Sequence, residues 1–346
     1  MQYTKKPAVR YLATVNYPIA FLREAWYLFP CSSPISTNGP AMNINHRKNA
    51  MAFVAVLLGW FSGISPAQIQ PNPASDLPVR YEELSAPDFV RAVGQAEGVC
   101  VIPIGILEKH GPHLPLGTDL LTIRETVLRA ARREYCVVFP EYYCGQIFEA
   151  KHQPGTIAYG TELQWKLLQE TCDELGRNGF TRIILANGHG GNGPFLSYFC
   201  QAQLATRKPY SVVLFSPGPD TTLEKKLRAL RKTTEGGHAD EVESSTMMAC
   251  RPELVHPERA NLESGENLGR LDSLPFAYVG IWWYARYPNH YAGDGSNANR
   301  EIGELVLNSK SAQLATLIKA LKADKTIKKL EDRFFDASMQ PSQTKQ

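Results

Sequence analysis

Residues 98–133 read GVCVIPIGILEKHGPHLPLGTDLLTIRETVLRAARR, and this stretch decides the fold to expect. Gly98–Ile104 is a short, unbroken apolar run, the pattern of a strand buried on both faces. Leu120–Arg133 reads as a helix, and the loop between them is punctuated by glycine and proline. The same alternation continues along the chain. Cys136–Phe139 reads as a strand, Glu162–Arg177 as a helix, Arg182–Ala186 as a strand and Asn192–Thr206 as a helix. Tyr210–Phe215 reads as a strand, Glu241–Cys250 as a helix and Ala298–Lys322 as a long C-terminal helix. Strands alternating with amphipathic helices predict an α/β fold, a mostly parallel sheet covered on both faces. In such sheets ligands sit beyond the carboxyl ends of the strands. The polar clusters of this chain follow predicted strands.

The chain has 346 residues, 43% hydrophobic and 21% charged, enough for a sizeable core in one large domain. Its formal charge of +3 comes from the N-terminal end. The first 67 residues hold six basic residues (Lys5, Lys6, Arg10, Arg23, Arg47, Lys48) and one acidic (Glu24), so the rest carries 31 basic against 33 acidic. A near-neutral body gives no basic face for nucleic acid and suits a small-molecule substrate.

His46-Arg47-Lys48, the apolar run of about residues 50–62 and Ser65-Pro66-Ala67 have the order of a secretory signal. The run is short for a transmembrane helix, which needs about 20 apolar residues. The expectation is a start at Met42, cleavage after Ala67 and an exported protein without stable membrane association, or a membrane anchor if uncleaved. The domain plan is then an extension over 1–67, a Pro-rich linker over 68–84, a main domain over 85–325 and a polar tail over 326–346. Of the six cysteines beyond Cys31, Cys136 and Cys144 are the pair to test for a bridge.

Three clusters carry chemistry. In Glu108-Lys109-His110-Gly111-Pro112-His113, Glu108 and His110 are two residues apart and project to one side of an extended chain. The following Gly and Pro residues can fold Asp119 back toward them. Carboxylate plus imidazole suits zinc, and carboxylate-rich sites also take manganese or iron. His113 fits a role in packing or behind the ligands as well as ligation. In Asn187-Gly188-His189-Gly190-Gly191-Asn192 the glycines allow a sharp turn after a strand, and His189 offers an imidazole. This loop lacks the Lys-Ser/Thr of a phosphate loop. In Gly237-His238-Ala239-Asp240-Glu241-Val242-Glu243, Glu241 begins a helix, where the dipole favours a carboxylate; Asp240 reads as a surface residue. Ile281–Tyr287, with Trp282 and Trp283, suits a pocket wall, the core or a subunit contact.

These three clusters resemble the creatininase family, whose patterns look like Glu-x-His-Gly-Pro-His-Leu-Pro-Leu-x-Thr-Asp, Asn-Gly-His-Gly-Gly-Asn and His-Ala-Gly-Glu-x-Glu-Thr-Ser. The third matches at His238, Ala239, Glu241, Glu243 and Ser245. Weaker likeness appears at Glu149, His152, Pro154-Gly155-Thr156 and Gly293-Asp294-Gly295, within a span of about residues 85–322. The resemblance implies a single three-layer α/β/α domain, commonly a homo-oligomer, that hydrolyses a carbon–nitrogen bond of a cyclic amide, formamide or related compound. It implies two divalent metal ions, zinc or manganese, with iron as a further choice. Glu108, Asp119 and His189 would hold one, and Asp119 would bridge to a second that takes His110. Creatinine-hydrolysing members have a Glu two residues beyond the His of Asn-Gly-His. Gly191 stands there, so creatinine is in doubt and Glu243 is the expected replacement ligand. The metals would activate water, with His238 carrying the proton and Glu241 orienting it. The alternatives are a lactone or peptide hydrolase on the same metals, or a protein that binds metal or ligand without turnover.

Overall fold

The structure is a computed structural model that describes residues 76–343. Its main sheet has four parallel strands, β1 (Val99–Ile104), β2 (Val137–Val138), β3 (Arg182–Asn187) and β4 (Ser211–Phe215), in the order β2-β1-β3-β4. A small antiparallel ribbon pairs β5 (Gly236–His238) with β6 (Ala292–Gly293). The helices are α1 (Ala86–Gln95), α2 (Thr118–Arg133), α3 (Thr161–Arg177), α4 (Asn192–Ala202), α5 (Thr221–Leu230), α6 (Glu241–Cys250), α7 (Trp282–Arg286), α8 (Arg300–Ala323) and α9 (Ile327–Ser338).

The period of two along the strands builds three layers. Cys100, Ile102 and Ile104 of β1 meet Leu168 and Cys172 of α3 and Leu196 and Phe199 of α4. Val99 and Val101 face the other way, onto Ile123 and Val127 of α2 and Leu314 and Ile318 of α8. β3 repeats the division, with Ile183 and Leu185 on the first side and Ile184 and Ala186 on the second. All six β1 residues are buried, which explains the unbroken apolar run. Each such Val or Ile side chain contributes about 1.5–3 kcal/mol on leaving water. The fold is thus the expected α/β/α arrangement with a mostly parallel sheet.

Two glycines position the site. A Cβ at Gly105, just past β1, would stand 2.6 Å from the Leu120 nitrogen, and one at Gly188, just past β3, 2.8 Å from the Asp119 carbonyl oxygen. Bare backbone there lets the first turn of α2 lie across the strand ends. Asp119 therefore sits inside that turn, because α2 begins two residues earlier than the sequence pattern suggests.

Other expectations need adjustment. Part of the stretch read as linker is docked on the sheet edge, where the Val138 amide donates to the Val79 carbonyl at 2.8 Å. The region read as a polar tail contains α9, tied down by Arg207 to Asp332 at 3.3 Å and Ser211 Oγ to Glu331 at 2.7 Å. Ile327, Leu330 and Phe334 recur there at helical spacing, a signal present in the sequence between many charges. Cys136 and Cys144 do not bridge; all six described cysteines are free thiols. The candidate signal segment lies outside the described residues. Among the described residues no helix is long and apolar enough to cross a membrane.

Candidate metal centre

Side chains from all three clusters converge at the carboxyl end of the sheet. Glu108 and His110 come from the loop after β1, Asp119 from the first turn of α2 and His189 from the turn after β3. Asn187 fastens that last turn: its Nδ2 donates to the His189 carbonyl at 2.7 Å, and its Oδ1 accepts from the His189 amide at 3.1 Å. The β5–β6 ribbon and α6 bring His238 and Glu243 from the opposite side.

Candidate ligand atoms fall into three overlapping groups, each within a sphere a single cation could fill: Glu108, Asp119 and His189; His110, Asp119 and Glu243; Glu108, His110 and His238. His189 Nδ1 lies 2.9 Å from Glu108 Oε1 and 3.1 Å from Asp119 Oδ2. His110 Nε2 lies 3.2 Å from Asp119 Oδ1 and 3.7 Å from Glu243 Oε1. Asp119 thus turns one oxygen toward each group. Glu108 Oε1 and Asp119 Oδ2 are buried without a hydrogen bond of acceptable geometry. Unpaired carboxylate oxygens at such depth are costly unless a cation meets them, so this donor set fits divalent metal.

The electrostatics agree. Burial works against charge on Glu108, but the nearby His189 and His238 and the hydrogen bond from His290 hold its carboxyl well below the usual range. Burial likewise opposes charge on His110, yet Asp119, Glu243 and Glu108 push it up to about 10. His189, also opposed by burial, is raised in the same way by Glu108 and Asp119. Here protons on imidazole and metal cations are competing solutions to one cluster of negative charge.

His238 Nε2 is 2.8 Å from the Lys109 carbonyl, which can only accept, so Nε2 carries the proton and Nδ1 is left open, 3.8 Å from Glu243 Oε2. Its ring lies over His110 with centroids 4.3 Å apart. Glu241 is not brought to this site. Its carboxylate accepts from the Lys232 and Thr233 amides and the Thr233 hydroxyl, fastening the turn between α5 and β5. Asp240 is buried rather than on the surface; it caps α6 by accepting from the Val242 and Glu243 amides at 3.0 and 2.9 Å. His113 packs behind the cluster, with Nε2 2.8 Å from Ser244 Oγ and burial lowering it to about 4.

A side chain at Gly191 would have its Cβ 2.4 Å from His189 Nε2 and 2.6 Å from Glu149 Oε1. A side chain at 191 would require the ends of His189, Glu149 and Gln146 to move, and Glu243 already stands beside His110 and Asp119. Glu149, whose likeness to the family pattern is weak, lines the cavity with Gln146 holding its Oε2 at 2.9 Å. His152 is turned outward to the Pro288 carbonyl. The cavity over the cluster is about 390 Å³, and Tyr278, Trp282 and Trp283 form its outer wall. Of the readings open for the tryptophans, the pocket wall is the one observed. Sequence reasoning misses His290, which is buried against Glu108. Its only signal is position, three residues before Gly293-Asp294-Gly295.

A crevice at the ends of parallel strands, floored by overlapping carboxylate–imidazole groups, has the makings of a divalent-metal enzyme site. Comparison with known proteins narrows the class. The model of the Creatininase family, creatinine amidohydrolase, matches residues 82–318. Creatinine amidohydrolase of Pseudomonas putida is 27% identical over 244 residues, 65% of this chain and 90% of the relative. A mycofactocin precursor peptide peptidase of Mycolicibacterium smegmatis is 38% identical over 102 residues, 27% of this chain and 39% of the relative. Solved creatininases include a point mutant of Zn–Zn type (TM-score 0.62, 24% identity) and a manganese form (TM-score 0.60, 23% identity). Each covers 71% of this chain and 99% of its own. The chain belongs to the creatininase family and is a hydrolase acting on carbon–nitrogen bonds.

Proposed function

We propose that this protein hydrolyses a small cyclic amide, formamide or related compound with two divalent cations. One is held by Glu108, Asp119 and His189, the other by His110, Asp119 and Glu243. The observation that carries this reading is Asp119, whose two oxygens face different groups of ligands. Bound cations supply an activated water and polarise the amide carbonyl. The protein's part is to hold the carboxylates fixed, exclude bulk water behind the tryptophan wall and move one proton. His238 suits that last task, since Nδ1 faces the cluster while Lys109 fixes the tautomer. Glu241, expected as its partner, is engaged elsewhere, and Glu243 is the carboxylate at hand.

The test begins with elemental analysis of purified protein, followed by turnover of a panel of lactams and formamides with and without chelator. Glu243→Gln should lower the metal content from two equivalents to one. His238→Ala should keep both and lose roughly 10²–10⁴-fold in turnover. Full turnover in His238→Ala, or unchanged metal in Glu243→Gln, removes that residue from its role. A longer substrate is the second reading, favoured by a shallow cavity beside the first. It shares Glu149 and Gly280 and is lined by Phe148, Ile281 and Tyr284. Cleavage of short peptides but not of lactams would select it. Export and assembly with further copies of the chain complete the proposal, on the grounds of residues 46–67 and of the apolar loop before α7.

A further inference from the structure

The two oxygens of Glu108 are not equivalent. Oε1 points at the group shared with Asp119 and His189 and has no well-aligned hydrogen bond. Oε2 is taken by His290 Nε2. The other nitrogen of His290, Nδ1, lies 2.8 Å from Trp283 Nε1. An indole N–H can only donate, so Nδ1 must present its lone pair and the proton of the neutral ring must sit on Nε2, aimed at Glu108. His290 also has φ +53°, a left-handed conformation that a histidine adopts at a cost. Conformations of this kind persist where surrounding interactions hold them in place.

We infer that His290, locked by Trp283, is a positioning residue that occupies Glu108 Oε2, so that Glu108 offers Oε1 alone to the cation. This rests on the metal-centre reading above. Trp283 also lines the substrate cavity and stands edge-on to His238, with centroids 5.8 Å apart. The wall that substrate would touch is thus two hydrogen bonds away from the carboxylate of a metal ligand, at the oxygen not offered to the cation. Nothing in residue type announces the arrangement. It needs the turn after α7 to bring residue 290 back beneath residue 283, and the β5–β6 ribbon to hold that turn beside β1.

Two substitutions separate the device from mere packing. His290→Gly deletes the imidazole at a position whose φ glycine adopts freely, so the backbone loses strain rather than gaining it. Trp283→Phe keeps an aromatic ring and removes only the donor. Zinc affinity is measured by competition with a chromophoric chelator, and coordination by the visible absorption of the cobalt(II)-loaded protein. Thermal unfolding of the metal-stripped proteins controls for folding. His290→Gly should bind zinc about 10–100-fold more weakly, as removal of groups behind metal ligands does. Its cobalt spectrum should weaken toward that of a higher-coordinate ion as Glu108 becomes bidentate. Trp283→Phe should shift both readouts in the same direction by less. Wild-type affinity and an unchanged cobalt spectrum in His290→Gly overturn the inference while leaving the metal centre standing. Should His290→Gly not fold, the same null result in Trp283→Phe overturns it. Failure of the wild-type protein to take up zinc or cobalt overturns the metal centre itself, and this inference with it.

Discussion

His110 and His189 sit so close to Glu108, Asp119 and Glu243 that a proton on each imidazole is the alternative to a bound cation. Metal must displace those protons, so affinity should rise with pH, by about tenfold per pH unit for each proton released, between about pH 6 and 8. Chelator competition across that range measures the slope; a flat profile contradicts the arrangement. For protein stripped of metal the sign on stability is opposite. The raised His110 group contributes fully below its ordinary value of about 6.5, and its contribution is lost as pH climbs through about 10. At this scale the sequence is informative where residue type and spacing together imply chemistry: Glu108, His110, Asp119, His189 and Glu243 do converge. It is uninformative about the first turn of α6, where three acidic residues lie within four positions. There Asp240 caps, Glu241 turns outward to the preceding turn and Glu243 turns inward to the cluster. Their places at the helix start, a cap and two positions on different faces of the first turn, separate those fates. Gly191 is visible in the sequence as a departure from the family pattern. What surrounds it, the side-chain ends of Glu149 and His189, is seen only in the folded chain.

Elements with strong patterns are legible, and the small ones that assemble the site are not. β1, and β3 between its polar ends Arg182 and Asn187, are apolar because helices cover both faces, and α6 begins and ends where its sequence pattern places it. β5 and β6 have three and two residues, rich in glycine, and carry no alternation to detect. They nevertheless bring His238 and His290 together, with ring centroids 4.5 Å apart. The start of α6 matters for the same reason, because Asp240 both caps the helix and fixes the turn from which Glu243 projects. Asp240→Ala should therefore cost about 0.5–2 kcal/mol in urea unfolding of the metal-stripped protein, the usual loss for a helix cap. It should also weaken metal binding through Glu243. An Asp240→Asn protein, whose amide oxygen can still cap, should recover most of the stability.

On the scale of the molecule, the segment between α6 and α7 buries Val255 and Ala260 but leaves several of its large apolar side chains exposed. Leu262, Phe276, Tyr278 and Ile281 are all more than half exposed, and Phe276 is fully so. Such a collection of large apolar side chains beside a catalytic crevice marks a contact surface more often than a free one. A second copy of the chain is the occupant we propose, because a homo-oligomer would cover the wall of the cavity that Tyr278 and Trp282 leave open to water. The mass in solution, by light scattering or sedimentation, should then exceed the 38.5 kDa of one full chain. Phe276 lies outside the cavity lining, so Phe276→Asp should push the assembly toward monomer without altering zinc uptake. Turnover should fall if the neighbouring copy completes the wall, and hold if it only buries the loop. A wild-type protein that sediments as a monomer at all concentrations would leave the loop facing solvent, and the aromatic wall would have to exclude water from a single chain alone.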